Sequence, residues 1–174
     1  MGIIKHTTGD IFKSKHIPIV TVNCVGVMGA GIAKTCKMLY PRTYKQYRRK
    51  CLAGEYHPGQ PILTNIERPL LLFPTKDHWR NPSQYRWIEE GLKRIAKNAN
   101  KFDSLAIPPL GCGHGGLNWH KVLPMIERNL APLENYFEIY HPHNEHIGDY
   151  TIQYLQYDDQ GIHSKILSHD LEMR

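Results

Sequence analysis

Long hydrophobic runs are missing from this 174-residue chain. The longest, around Leu70–Phe73, is strand-sized and far short of the roughly 18–20 apolar residues that cross a bilayer as a helix. The N-terminus carries no apolar leader, because Lys5, His6 and Asp10 interrupt it early. The opening Met-Gly has His6 where a myristoylation motif wants Ser or Thr. A cytoplasmic protein with no membrane partner is the expectation. Cysteine is scarce as well: Cys24, Cys36, Cys51 and Cys112 form no C-x-x-C pair. A domain of this size needs no disulfide staples, so they read as reduced core or loop thiols. Low-complexity tracts and internal repeats are absent. Acidic residues are outnumbered, 16 against 22 Lys and Arg, and the net charge of +6 favours anionic partners such as nucleotides or nucleic acid.

What is present is an ordinary globular balance, 41% hydrophobic and 22% charged, enough for one core. Ile3–Ile4 and Ile11–Phe12 read as short strand pieces around Gly9-Asp10. The β-branched run Ile17–Asn23 reads as a buried central strand. Ile32, Cys36 and Leu39 fall at helical spacing, and Pro41 ends that helix or begins another through Tyr44–Leu52. Pro61–Asn65 and Pro69–Phe73 form a hairpin pattern. From Ser83 to about Lys101, Ile88, Leu92, Ile95 and Ala99 make the stripe of an amphipathic helix. Leu105–Ile107 is a short strand; Val122, Leu123, Ile126 and Leu130 mark a helix whose start Pro124 obscures. Tyr136–Tyr140 is the last clear strand, and Thr151–Tyr157 shows no assignable pattern. Strands alternating with helices imply a largely parallel or mixed sheet with helices on both faces, whose ligands bind at the carboxyl ends of strands.

Two glycine-rich stretches fall at such ends: Gly26-Val-Met-Gly29-Ala-Gly31, and Gly111-Cys-Gly113-His-Gly115-Gly116. The second formally matches G-x-G-x-x-G but lies too late in the chain for a Rossmann first turn, and no Lys follows Gly31 to make a Walker A loop. The physics survives without those labels. Glycine lets backbone N–H groups approach phosphate oxygens, and a following helix N-terminus adds partial positive charge. One such loop is often only a tight turn; two, both leading towards helices, point to a diphosphate.

These residues resemble the macrodomain family over roughly residues 1–145. Gly9-Asp10-Ile11 follows the first strand, Thr21–Ala33 resembles the family's first loop, and Ile107–Trp119 its phosphate-cradling second loop. The resemblance implies a three-layer α/β/α fold with a mixed central sheet, a macrodomain over residues 1–150 and a C-terminal extension over 151–174. It also implies an ADP-ribose site. Asp10 and Ile11 would meet the adenine. Asn23, Val27, Met28, Gly29, Gly31 and Ile32 would come from the first loop, with Asn23 facing the distal ribose. The second loop would supply Gly111, Cys112, Gly113, His114, Gly115, Gly116 and Leu117.

The segment Phe73-Pro-Thr-Lys76-Asp-His-Trp79-Arg80 resembles the branch that hydrolyses ADP-ribose links, including antitoxins that reverse thymidine ADP-ribosylation of DNA. Gly115 departs from the protein-directed hydrolases, which carry an acidic residue there. The resemblance implies catalysis by Lys76 with Asn23, and contact with single-stranded DNA through Thr75, His78, Trp79 and Arg80. A desolvated lysine amine can attack the ribose carbon and form a Schiff base; a cationic lysine can instead polarise the leaving base. The residues leave both roles open. A non-catalytic ADP-ribose reader and a protein-directed hydrolase are the competing functions. A cognate DNA ADP-ribosyltransferase toxin is an expected partner. No cofactor is expected, and no metal either, since His141-Pro-His143-Asn-Glu-His146 lacks a tetrahedral-site spacing. The basic run Lys45–Lys50 reads first as a solvated helix face.

Overall fold

A computed structural model describes residues 2–145, together with the backbone of two later strands, 153–158 and 161–167. In chain order the elements are β1 (Ile3–Thr7), β2 (Ile17–Val22), α1 (Gly31–Leu39), α2 (Pro41–Leu52), β3 (Ile62–Asn65), β4 (Pro69–Pro74), α3 (Tyr85–Lys97), β5 (Ser104–Ile107), α4 (Trp119–Leu130), β6 (Tyr136–Tyr140), β7 (Gln153–Asp158) and β8 (Gly161–Leu167). They build one sheet in the order β3-β4-β2-β5-β6-β1-β7-β8. The run β4-β2-β5-β6-β1 is parallel throughout. β3 and β7 add antiparallel neighbours at its two ends, so the sheet is mixed.

The alternation of side chains along a strand divides the core between two faces. Ile19, Leu71 and Phe73 pack with Ile88, Leu92 and Ile95 of α3 and Val122 and Ile126 of α4. Their neighbours Val20, Val22, Leu70 and Leu72 pack on the other side with Cys36 of α1 and Tyr47 and Cys51 of α2. A strand buried on both faces needs an unbroken apolar run, which is why Leu70–Phe73 has one. The result is the expected three-layer α/β/α arrangement. All four cysteines are free thiols.

Three sequence assignments change. Ile11–Phe12 is not strand but a 3₁₀ turn, Ile11–Lys13, because the Asp10 carboxylate accepts a hydrogen bond from Phe12 N (3.0 Å) and caps it. The amphipathic helix begins at Tyr85 rather than Ser83 and closes at Lys97. There Asn98 Nδ2 donates to Arg94 O (2.7 Å), and a separate 3₁₀ turn covers Ala99–Lys101. α4 starts five residues before Pro124, with Asn118 as its cap accepting from His120 N at 2.9 Å. The segment without assignable pattern contributes β7, and β7 pairs with β1. His146 and the junction near residue 150 lie outside the described residues.

Candidate active site

Because five neighbouring strands are parallel, their C-terminal ends share one edge of the sheet, and the loops that leave them line up in strand order. That order is the Thr75–Pro82 loop after β4, the Asn23–Ala30 loop after β2, the Pro108–Leu117 loop after β5, Tyr140–Asn144 after β6, and Thr8–Asp10 after β1. All five contribute to one cleft of about 1630 Å³. Four strand spacings separate β4 from β1, which puts the two ends of the cleft roughly 19 Å apart. An elongated ligand laid along it meets Asp10 at one end and Lys76 at the other.

The middle presents backbone donors of the kind that suit an anion. In the loop after β5, Leu117 N donates back to Gly111 O (2.9 Å) and Gly116 N to Gly113 O (3.1 Å), closing a tight ring. Gly111 and Gly116 take positive φ, +72° and +80°, which permits that ring. The N–H groups of Gly113, His114 and Gly115 find no partner among the described residues. Across the cleft α1 opens with Ala30 at its N-cap and no side-chain cap. Alanine is among the poorest capping residues. The first N–H groups of α1, at Gly31 and Ile32 on the cleft wall, are therefore left for a ligand.

Asn23 organises the first loop. Its Oδ1 accepts from Val25 N (3.1 Å), Val27 N (3.3 Å) and the Tyr47 hydroxyl (2.9 Å), and its Nδ2 donates to Val27 O (2.8 Å). The second amide hydrogen has no partner among the described residues. Lys76 leaves β4 just beyond Thr75, whose N donates to Val22 O at 3.0 Å. Its Nζ donates to Trp79 O at 3.2 Å, and burial lowers its pKa below the ordinary lysine value. Trp79 is 45% exposed, with the Arg80 guanidinium 4.6 Å from the ring centroid and the His78 ring against it at 5.3 Å.

Gly115 is fixed by packing. A Cβ there would lie 2.3 Å from Ser83 Oγ and 2.4 Å from Gly111 O. No acidic side chain fits this loop in its present form. Among the described residues of the cleft lining Asp10 is the only carboxylate, and it caps the 3₁₀ turn. Thiol chemistry is disfavoured too, since burial pushes Cys24 and Cys112 up to about 12.

Most of the residues expected at the site meet here: Asp10, Ile11, Asn23, Val27, Gly29, Gly31 and Ile32 line the cleft, as do Gly111 to Gly116. Thr75, Lys76, Trp79 and Arg80 join them at the β4 end. Three do not. Met28 is core, packed in the α1–α2 layer. Leu117 packs against the α3–α4 layer. His78 lies outside the lining, where its Nδ1 accepts from Arg80 N (3.1 Å) and shapes the loop. The wall formed by Tyr140–Asn144 was missed. Its anchor is His141, whose N donates to Thr7 O (2.9 Å) and whose Nδ1 accepts from Trp119 Nε1 (3.3 Å). Its Nε2 lies 2.8 Å from His6 Nδ1. The only sequence signal was the histidine cluster, which reads equally as a solvent loop.

A family model described as Macro domain matches residues 19–126. The DNA ADP-ribosyl transferase–DNA ADP-ribosyl glycohydrolase fusion protein of Thermosipho africanus is 39% identical over 164 residues, 81% of this chain and 42% of that protein. The DNA ADP-ribosyl glycohydrolase of Thermus aquaticus is 40% identical over 140 residues, 76% of this chain and 39% of that protein. This chain thus spans about two-fifths of the length of those curated relatives. Among solved structures, the macrodomain of Thermus aquaticus DarG superposes with a TM-score of 0.76 at 34% identity, over 82% of this chain and all of that one. Thermosipho africanus DarTG in complex with ADP-ribose gives 0.78 at 39%, over 84% of this chain and 43% of that one. With its three layers, its two glycine loops and these matches, the chain belongs to the macro domain family.

Proposed function

We propose that this domain binds ADP-ribose along the cleft and hydrolyses the bond joining it to a thymidine base in single-stranded DNA. The adenine lies at the Asp10 end, the diphosphate on the N–H groups of the second loop and the start of α1, and the distal ribose between Asn23 and Lys76. Trp79 and Arg80 take up the DNA at the mouth. The relatives named above as DNA ADP-ribosyl glycohydrolases support the substrate.

The observation that carries the reading is the position of Lys76 on the cleft wall at the β4 end. Among the described residues the cleft offers no pair of carboxylates for ordinary glycoside hydrolysis, and burial lowers the Lys76 pKa below the ordinary lysine value, which eases loss of its proton. In the step this allows, the amine pair forms a bond to the ribose carbon while the glycosidic bond breaks, its electrons leaving with the base. The base then takes a proton, and water resolves the adduct, returning the amine and free ADP-ribose. Each turnover consumes one water and leaves the DNA base unmodified.

The test is release of ADP-ribose from a thymidine-modified single-stranded oligonucleotide. Wild type is expected to turn over. Lys76→Ala is expected to lose at least about a hundredfold in rate, the scale of a removed catalytic group, while still binding ADP-ribose. ADP-ribose binding without turnover on DNA would refute the assignment and leave a reader.

A further inference from the structure

The positive charge of this protein is concentrated in one place. Gly31–Leu52, the α1–α2 hairpin, contains seven of the 22 Lys and Arg residues and no Asp or Glu. The rest of the chain holds 15 basic residues against 16 acidic ones, so the hairpin accounts for the whole surplus. On α2 the residues facing inward are Thr43, Tyr47 and Cys51. Arg42, Lys45, Arg48 and Arg49 are exposed, and Arg42, Lys45 and Arg49 share a single stripe. Basic residues in a last turn complement the helix dipole, and that accounts for Arg49 and Lys50. It does not account for Arg42, Lys45 or Arg48. The nearby carboxylate of Glu67 is already engaged, accepting from Thr43 N (2.8 Å) and Thr43 Oγ1 (3.2 Å). Exposed Glu55 lies beyond the helix end.

This face is continuous with the mouth of the cleft. The Lys76 loop is stitched to the first glycine loop by Cys24 N donating to Asp77 O at 3.1 Å. Two residues on, Gly26 lies against α2 so closely that a Cβ on it would come within 3.3 Å of Arg48 Cγ. From the Trp79–Arg80 platform the surface therefore runs over residues 24–26 directly onto Arg48, and from there along the α2 stripe.

We infer that the exposed face of α2 is a track for the sugar-phosphate backbone of the single strand flanking the modified base. The inference rests on the DNA reading above and adds a second contact region to it. One aromatic platform followed by a basic groove is how sequence-tolerant single-strand binders are built. Each phosphate neutralised on a single strand contributes about 0.7 to the salt slope of binding.

The experiment measures binding of a labelled, unmodified single-stranded oligonucleotide across a salt series by fluorescence anisotropy. Lys45→Gln/Arg48→Gln/Arg49→Gln is expected to bind tenfold or more weakly at low salt, with a slope shallower by about 2, as three lost phosphate contacts require. Arg42→Gln/Lys45→Gln/Arg49→Gln leaves the Arg48 stem on Gly26 and is expected to do the same, which separates charge from any disturbance of the loop. Lys93→Gln/Arg94→Gln/Lys97→Gln removes equal charge from exposed positions of α3 and is expected to bind within twofold of wild type. Both α2 variants are expected to keep ADP-ribose affinity. An unchanged slope in the α2 variants, or an equal loss in the α3 variant, would overturn the track. So would α2-dependent binding to phosphatidylserine vesicles with none to the oligonucleotide. Turnover plays no part in this readout: a protein without glycohydrolase activity but with the α2-dependent slope loses the proposed reaction and keeps the track.

Discussion

Replacing Gly115 by alanine adds one methyl group at the tightest point of the cleft. The new Cβ would stand 2.4 Å from Gly111 O and 2.3 Å from Ser83 Oγ, where ordinary contact begins near 3.4 Å. Backbone must therefore retreat by about 1 Å, a distance at which positioned groups lose their function. The Ser83 hydroxyl cannot simply turn aside without consequence, because residue 83 is 5% exposed and its N donates to Gly115 O at 3.0 Å. Overpacking of this kind costs about 1–3 kcal/mol of stability. The N–H groups displaced are those proposed to meet the diphosphate, and losing one hydrogen bond to a charged group costs about 1.5–3 kcal/mol, or roughly a ten- to 150-fold rise in Kd. Calorimetric titration with ADP-ribose reads the affinity and a thermal melt reads the stability. Gly113→Ala is the stability control: nothing lies within 4 Å of its Cβ, so its melting temperature is expected near wild type. Adding Ser83→Ala to Gly115→Ala relieves one clash and leaves the one with Gly111 O, so affinity is expected to recover only in part. A Gly115→Ala protein with wild-type Kd would refute the argument that packing, rather than chance, keeps residue 115 free of a side chain.

Gly91→Ala sets helix propensity against packing. Alanine gains about 1 kcal/mol in α3, but its Cβ would lie 2.1 Å from Cζ of the fully buried Phe73; a net loss on the order of 1–2 kcal/mol in urea denaturation is expected, since overpacking exceeds propensity. Burial lowers His141 to about 4, so between 6.5 and 4 the unfolded chain binds a proton that the native one refuses, and stability falls as pH drops through that window. Glu127, raised by burial to about 7, has the opposite sign: its share of stability is lost as pH rises from 4.5 to 7. Urea midpoints at several pH values are expected to fall less on acidification in His141→Asn and less on alkalinisation in Glu127→Gln; identical pH profiles in both variants and wild type would refute the assignment.

The elements that were legible in the sequence are those whose signal is local. The β-branched run of β2, the stripe of α3 and the hairpin of β3 and β4 needed only neighbours in sequence to declare themselves. Ile11–Phe12 misled because two adjacent apolar residues look like strand, while the outcome was decided by one carboxylate bonding two residues ahead. The strand order was not legible. β1 sits between β6 and β7, and only that crossover makes Tyr140–Asn144 a wall of the same cleft as Asp10. The glycine loops were found because backbone donors need glycine and glycine shows in a sequence. Side-chain direction within them does not show, so Met28 and Leu117 were expected in the cleft although each turns into a core layer. Ser83 carried no signal whatever: its meaning depends on Gly115, 32 positions away, and on the carbonyl of Gly111. A cleft lined by main-chain N–H groups thus announces itself through what the chain omits. The side chains that keep those groups in place stay hidden until the long-range contacts are known, and they are where a substitution remote from the ligand in sequence would weaken binding most.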